Sequence, residues 1–179
     1  MQNFSFRPWS LGVGYCAILL ALLPVSPAAA QSCKDSIPAT TPAARFTIHK
    51  DGTVTHNSTG LVWMRCSLGQ SWDGKTCTGD ALALNWQKAL QAASQHTFAG
   101  HSDWRLPNKN ELASIVEERC AAPAINDKIF PRTPGVFFWS SSPYAGLADG
   151  AWSVDFGYGS INASVKSGDL HVRLVRGGR

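Results

Sequence analysis

Acidic residues are scarce in this chain, and its basic residues do not form a block. Asp and Glu number 12, Lys and Arg number 16, and the formal net charge is +4. Nucleic-acid-binding domains present a basic patch or stripe, so this small, scattered excess argues against a nucleic-acid partner. Beyond residue 30 the sequence also lacks an apolar run near the ~20 residues that a membrane-spanning helix needs. We predict no nucleic-acid partner and no membrane insertion of the mature chain.

Common signatures of catalysis and metal binding are missing as well. The sequence has no CxxC pair, no HExxH and no GxSxG. Glu117 and Glu118 are adjacent on a predicted helix, so they point in different directions and cannot act as a catalytic pair. Asp149, Asp155 and Asp169 lie in or near predicted hairpins, where calcium ligation is an alternative. The sequence predicts no catalytic residue, no metal and no cofactor, and it favours a binding role over an enzyme.

The first 30 residues have the pattern of a secretory signal peptide. Arg7 precedes an apolar run from Leu11 to Val25, and the small residues Ala28 and Ala30 come just before Gln31. This run is too short, and too interrupted by proline, to serve as a membrane anchor. We predict cleavage after Ala30, which leaves residues 31–179 as one domain's worth of chain, periplasmic or secreted.

Four cysteines follow the predicted cleavage point: Cys33, Cys66, Cys77 and Cys120. An even number in an exported chain is typical of two disulfides, for which three connectivities exist. Cys66 and Cys77 flank a polar, glycine-containing loop, which favours a bridge between them and leaves Cys33 to pair with Cys120. A zinc site and a reactive thiol are the alternatives, but no CxxC or paired Cys/His spacing supports zinc.

The body of the chain alternates strand patterns with two helix patterns. Residues 31–44 include a proline-rich stretch without periodicity and are expected to form an extended arm. Residues 46–66 contain three short strands, with turns at Asp51-Gly52 and at residues 57–60. After Pro131 the chain returns to strands, punctuated by glycine and aspartate.

The two predicted helices lie between these strand regions. The first begins after Asn85, which can cap it. The second follows a Leu-Pro step, with Asn108 and Glu111 spaced as an Asn-x-x-Glu capping box, and is expected to end near Cys120.

Five motifs, in this order, resemble the Lcl C-terminal domain family, an exported bacterial module. They are DGTVTHNSTGLVWMRCSLGQSWDGKTC, the helix around Trp86, AGHSDWRLPNKNEL, FWSSSP and the closing VRLVRGG. The resemblance covers roughly residues 45–178, so we divide the chain into a signal peptide (1–30), an arm (31–44) and a domain (45–179). RLPNKNEL also resembles a segment of formylglycine-generating-enzyme-like proteins. The implied fold is α+β and C-type-lectin-like, with two helices packed on a small, twisted, mostly antiparallel sheet.

The resemblance also implies a function. The member that gave the family its name is an adhesin whose C-terminal domain is implicated in binding sulfated polysaccharides. This sequence lacks that adhesin's collagen-like repeat, the Glu-Pro-Asn and Trp-Asn-Asp signatures of calcium-dependent lectins, and the cysteine pair of formylglycine-generating enzymes. We expect a non-enzymatic module that binds a glycan, such as an anionic polysaccharide, or an envelope or extracellular protein. The alternatives are an enzyme of unrecognised class and a purely structural envelope component.

Five residues are predicted to contact a ligand: Trp72, Arg132, Tyr144, Asp149 and Tyr158. Four of them lie in the irregular segment 131–159, and loops of this kind concentrate function. Aromatic rings at a wet rim can stack on sugars, while Arg132 can bind a sulfate. Tyr144 and Tyr158 flank a glycine-rich turn and are expected at one rim. Trp72, in the loop between Cys66 and Cys77, either stacks on a sugar or covers the disulfide.

Three other residues are predicted to be structural: Trp104, Arg105 and Glu111. Trp104 is expected in the core, and Arg105 is expected to pair with a carboxylate such as Glu111 or Asp155.

Replacing Arg105 with alanine should therefore lower the free energy of unfolding by about 1–3 kcal/mol, because a carboxylate loses its charged partner. Chemical denaturation of both proteins measures this loss. Unchanged stability together with lost ligand binding would assign Arg105 to the binding site instead.

Overall fold

The computed structural model describes residues 31–177, and the predicted signal peptide lies outside them. The described chain is α+β. Its helices are α1 (Trp86–Ser94) and α2 (Lys109–Ala113), and its strands are β1 (Ser32–Cys33), β2 (Phe46–Ile48), β3 (Thr53–His56), β4 (Leu61–Met64), β5 (Ser71–Trp72), β6 (Cys77–Thr78), β7 (Ala83–Leu84), β8 (Cys120–Ala121), β9 (Phe137–Pro143), β10 (Gly150–Asp155), β11 (Ser160–Val165), β12 (Leu170–His171) and β13 (Val175–Gly177).

The strands form two main sheets rather than the single small sheet that the sequence predicts. One has the order β11-β10-β9-β12-β7 and is antiparallel except where β12 meets β9; the other has the order β13-β4-β3-β2 and is antiparallel throughout. Two small pairs, β1 with β8 and β5 with β6, lie outside them. The closing segment 170–177 belongs to both main sheets, through β12 and β13, and so joins them.

The predicted meander of three strands is present as β2, β3 and β4. Asp51 stabilises the turn between β2 and β3, because its Oδ1 accepts hydrogen bonds from the Thr53 amide at 2.9 Å and from the Thr53 hydroxyl at 2.7 Å. Gly52 has φ of 85°, a conformation that a side chain disfavours, and a Cβ there would lie 2.7 Å from the Trp72 ring. Glycine at this turn therefore allows the loop carrying Trp72 to lie directly on it.

Both helices begin where the sequence places them. The Asn85 side chain accepts from the Lys88 amide at the start of α1. At the start of α2, Asn108 accepts from the Glu111 amide, and the Glu111 carboxylate accepts from the Asn108 amide, which completes the capping box.

The expectation that the second helix reaches Cys120 is wrong, because α2 ends at Ala113. Ile115 and Val116 are buried as expected, but they follow the helix and reach the core through turns. The Glu117 amide then donates to the Ala124 carbonyl, a long-range bond that continued helix would not permit. Tertiary pairing here outweighs the local helical pattern.

Two apolar clusters fill the interior. The larger contains Trp63, Leu112, Phe130 and Phe138, and it lies against α2. The smaller contains Trp139 and the inner face of α1. Burying one such large side chain contributes about 1.5–3 kcal/mol, so these clusters supply the main stabilisation of both helices.

The arm, residues 31–44, is fixed to the domain by a buried carboxylate and a disulfide. Glu117, 2% exposed, accepts hydrogen bonds from the amides and hydroxyls of both Thr40 and Thr41 at 2.9–3.3 Å. Cys33 is bonded to Cys120, and β1 pairs with β8 beside that bond. Burial raises the pKa of Glu117, but the donors from Thr41 and Thr40 outweigh it and bring the pKa below its ordinary value.

Replacing Glu117 with glutamine should lower the free energy of unfolding by an amount that depends on pH. Because the pKa of Glu117 is lowered, its carboxylate stabilises the folded state above the unfolded-state pKa, near 4.5. This stabilisation is lost as pH falls through the folded-state pKa. At pH near 7, Glu117→Gln should cost about 3 kcal/mol, since an amide cannot accept all four donors. Denaturation from about pH 7 to about pH 3 should show this difference shrinking. The exposed neighbour Glu118 provides the control, Glu118→Gln, and an equal loss there would contradict the assignment.

Candidate ligand-binding site

The candidate site is a surface depression of about 460 Å³ beside Arg132, called here the Arg132 depression. One wall comes from Gln70, in the loop that Cys66 and Cys77 close, and from residues 79–81 just after that loop. The other wall comes from the segment 122–135. Its polar lining residues are Gln70, Asp80, Arg132 and Thr133. The site therefore joins two parts of the chain about 60 residues apart in sequence.

Gln70 links the two walls. Its Oε1 accepts from the Ser67 amide at 3.1 Å, and its Nε2 donates to the Arg132 carbonyl at 3.2 Å and to the Gly79 carbonyl at 3.5 Å. The disulfide between Cys66 and Cys77 closes the loop that carries Gln70. Because this side chain is hydrogen-bonded to both walls, the separation of the walls is set by the protein itself.

The second wall has an uncommon backbone. Ala122 and Arg132 have φ of 52° and 53°, and both line the depression. Positive φ in residues other than glycine is disfavoured, and such residues cluster at functional sites. Here the conformation places an exposed arginine at the lip of the depression. Within residues 31–177 the Arg132 guanidinium takes part in no ion pair or hydrogen bond, so its donors can reach a ligand.

Arg173 lies behind both walls and is fully buried. Its Nη2 donates to the Ser67 hydroxyl at 3.2 Å on one side and to the Thr133 hydroxyl at 2.7 Å on the other. Its Nη1 donates to the carbonyls of Met64 and Arg65 at the end of β4. One guanidinium thus holds the disulfide loop, β4 and the segment 122–135 together.

The environment of Arg173 is aromatic and contains no carboxylate partner among the described residues. Its guanidinium carbon lies 4.9 Å from the centre of the Phe130 ring and 5.9 Å from that of Phe138. Burial lowers the pKa of Arg173 to about 9, which leaves the side chain charged at neutral pH. Carbonyl dipoles, hydroxyls and ring faces take the place of water around this cation.

Tyr158 belongs to the same end of the molecule as the depression. It lies in the turn between β10 and β11 and is 82% exposed. The neighbouring Gly157 accepts from the Ala122 amide at 2.9 Å, and a Cβ on Gly135 would lie 3.6 Å from the Gly157 Cα. The backbone of this turn therefore contacts the second wall directly.

The expectation that Tyr144 and Tyr158 share a rim is wrong. Tyr144 precedes β10 and Tyr158 follows it, so a strand of six residues, about 20 Å, separates them. Tyr144 packs edge-on against Trp152, with ring centres 4.8 Å apart. Asp149 is likewise at the far end, beside Trp86 and Lys166. Because the turns that carry the two tyrosines lie at opposite ends of β10, the two rings are held apart.

Trp72 is half-buried and covers a turn rather than presenting a free ring. Its Nε1 donates to the Lys50 carbonyl, and the Arg65 guanidinium carbon lies 4.3 Å from its ring centre. Arg65 also donates to the carbonyls of Lys128 and Ile129, near the second wall. Trp72 therefore supports the disulfide loop through contacts with the turn at Gly52.

The residues predicted to be structural lie away from the Arg132 depression. Trp104 is 2% exposed, with its Nε1 donating to the Phe98 carbonyl. Arg105 donates two hydrogen bonds of 2.7 Å to the Glu111 carboxylate, whereas Asp155 accepts from the Gly157 amide. This arginine hydrogen bond lowers the pKa of Glu111 against the effect of burial. Because the Arg105 side chain is 42% exposed, its stability contribution belongs near the lower end of the predicted range.

Of the residues that the sequence predicts to contact a ligand, Arg132 lines the depression and Tyr158 lies at the same end of the molecule. The sequence did not point to Gln70, Asp80 or Arg173. A single signal was present for Arg173, which stands between valine and leucine in the closing strand pattern. A charged residue enclosed by apolar neighbours in a short segment indicates a buried, hydrogen-bonded charge. Gln70 and Asp80 are ordinary loop residues, and nothing local distinguishes them.

Two further properties of residues 31–177 bear on function. No group of three or more His, Cys, Asp or Glu side chains there is arranged to hold a metal ion. No helix in the same range is both long and apolar enough to cross a membrane.

The fold and the site together define an α+β, disulfide-containing domain with a surface depression whose lining includes four polar residues. Comparison with family models identifies residues 52–176 as an Lcl C-terminal domain, and the chain belongs to that family. A search of curated proteins finds no match. Two disulfides are typical of proteins outside the reducing cytoplasm, which together with the family indicates an extracytoplasmic location.

Replacing Arg173 should destabilise the domain strongly. Arg173→Met leaves the acceptors of Met64 and Arg65 without their donor, and the expected loss is about 3 kcal/mol or more, since each unsatisfied buried group costs about 1–3 kcal/mol. Arg173→Lys keeps the charge but not the planar fork, so it should lose less. Denaturant unfolding of the oxidised parent, Arg173→Met and Arg173→Lys proteins compares their free energies of unfolding. Equal stability of the methionine variant and the parent would show that this network is dispensable.

Proposed function

We propose that this chain is an exported, non-enzymatic module that binds anionic polysaccharides at the Arg132 depression. The observation that carries the proposal is Arg132, an exposed arginine with unoccupied donors, held in a disfavoured backbone conformation at the lip of the depression. Guanidinium groups bind sulfate and carboxylate through paired hydrogen bonds. The family assignment supports the same ligand class, because the family's namesake is implicated in binding sulfated polysaccharides.

Tyr158 supplies the second element of the proposed site. A phenol ring that is 82% exposed can stack against the apolar face of a sugar with little rearrangement. Its turn is hydrogen-bonded to the wall that carries Arg132, so a ligand of several sugar units can contact both. A stacking ring and an arginine together recognise an acidic sugar more selectively than either group alone.

Asp80 limits how strongly the Arg132 depression is expected to bind an anionic ligand. This exposed carboxylate lines the same depression as Arg132 and repels an anion there. Binding by a single site is therefore expected to be weak and to weaken further with added salt. Avidity from many sites along a polymer, or from several copies of the chain, compensates for weak single contacts.

Three finer assignments belong to this proposal. We assign the α+β architecture to the C-type-lectin-like type that the motif resemblance implies. We assign residues 1–30 to a cleaved signal peptide, with the mature chain periplasmic or secreted.

An envelope or extracellular protein carrying acidic sugars would engage the same surface, whereas an enzyme would need convergent titratable groups. Asp80 is the one carboxylate that lines the described depression, and no histidine or cysteine lines it.

Binding assays with matched variants test the proposal. Titration with a sulfated polysaccharide and its desulfated form, at low and physiological salt, should show preference for the sulfated polymer and loss of affinity with salt. Arg132→Ala and Tyr158→Ala should each weaken binding about tenfold, and Asp80→Asn should strengthen it about threefold.

Two variants serve as controls. Lys88→Ala removes one positive charge from the exposed face of α1, and Tyr144→Ala removes an aromatic ring at the far end of β10. Both should bind like the parent. Binding that is absent for both polymers, or that falls equally in Lys88→Ala and Arg132→Ala, would overturn the assignment of this depression.

A further inference from the structure

The five-stranded sheet ends in an unusually open edge at β11. Its residues, SINASV, include no charge, proline or glycine, and they follow β10 in unbroken register over six pairs. Ile161 and Val165 are 44% and 46% exposed, and Ala163 between them is exposed too. Proteins ordinarily protect such an edge with charges, proline, bulges or a covering segment.

The other sheet edges of this domain are protected. β7 is two residues long and β2 is three, and short edge strands resist pairing. β13 is covered, because the Arg105 amide and carbonyl form hydrogen bonds of 2.9 and 3.0 Å with Val175. Among the main-sheet edges, β11 alone combines length with exposure.

The backbone of β11 is oriented to accept another strand. The Lys166 amide donates to the Asp149 carbonyl at 2.7 Å, which continues the ladder between β10 and β11. Alternate residues of an antiparallel strand direct their amide and carbonyl groups to opposite sides. It follows that the amides of these outward-facing residues, Ile161, Ala163 and Val165, point away from β10 toward solvent. The carbonyls of Ile161 and Ala163 do the same, whereas the Val165 carbonyl accepts from the Gly168 amide at 2.9 Å.

The side chains of β11 are self-complementary about Ala163. In an antiparallel pair of identical strands centred there, Ile161 faces the partner's Val165 and Asn162 faces the partner's Ser164. Apolar groups meet apolar groups and polar groups meet polar groups. Lys166, just beyond the strand, faces Ser160, so no like charges oppose each other.

We propose that β11 is a self-association surface, on which a second copy of this chain pairs antiparallel to form one continuous ten-stranded sheet. The two-fold axis passes beside Ala163, which gives an isologous interface that closes at two copies. A single strand pair buries less than the roughly 1,200 Å² typical of stable complexes, so the equilibrium lies in the micromolar range. This inference is independent of the glycan proposal, and a dimer would present two depressions to one polymer.

Sedimentation of the oxidised, signal-free chain over a concentration series tests the proposal. The parent should shift from monomer to dimer with rising concentration. Ala163→Lys places two ammonium groups opposite each other at the axis and should weaken association by about tenfold or more, with the thermal midpoint of the dilute monomer unchanged. Ala145→Lys adds the same charge to an exposed loop outside β11 and should dimerise like the parent.

A cysteine at the axis gives a second, positive measurement. Opposed residues of a hydrogen-bonded antiparallel pair have Cα atoms about 5.5 Å apart, within the range that a disulfide spans. Ala163→Cys should therefore form a covalent dimer rapidly under mild oxidation, and Ala145→Cys should not. A monomer that persists to about 500 µM, or a dimer that Ala163→Lys leaves intact, overturns the proposal.

Discussion

The buried guanidinium of Arg173 is the interaction on which the arrangement of this domain depends. A cation without a carboxylate partner is costly to bury, so every surrounding acceptor must be held in place. Those acceptors come from the end of β4, from the disulfide loop and from the segment before β9. Loss of any one segment would leave a charge unsatisfied in the core. The cation therefore helps to fix the relative position of three segments, two of which also meet in the apolar contact between Trp63 and Phe130.

The candidate site inherits its geometry from this network. Ser67 and Thr133, one on each wall, accept from the same nitrogen of Arg173. Gln70 repeats the connection nearer the surface through the Arg132 carbonyl. Because the walls are linked at two depths, the lip that carries Arg132 is preorganised and a ligand does not have to order it. Preorganisation reduces the entropic cost of binding, which matters most for weak contacts.

Local features of the chain were predictable because local chemistry determines them. Asn85, Asp51 and the pair Asn108–Glu111 each satisfy backbone groups within three residues, so their roles can be read from spacing alone. The length of α2 was not predictable in this way, since the Glu117 amide bonds to Ala124 across a turn.

The placement of the site residues shows the same limit. Arg132 and Tyr158 were predicted from residue type and loop composition, and both lie at the end of the molecule that carries the depression. Tyr144 was grouped with them because proximity in sequence was taken for proximity in space. The strand β10 lies between Tyr144 and Tyr158 and holds them at opposite ends, whereas a single turn between them would have brought them together. Gln70 lies in the disulfide loop and Asp80 just after it, and the position of this loop depends on contacts with residues 128–133, far along the chain.

The attachment of the arm has a consequence for the order in which the chain folds. Cys33 and its partner are 87 residues apart, and Thr40 and Thr41 are 77 and 76 residues from Glu117, which is synthesised after them. Non-local contacts of this separation form slowly because a long loop must close first. The meander of β2, β3 and β4 can form from contacts of close neighbours, whereas the arm docks only on a surface that later residues build. We expect arm docking to be a late step, with Cys33 oxidised after Cys66.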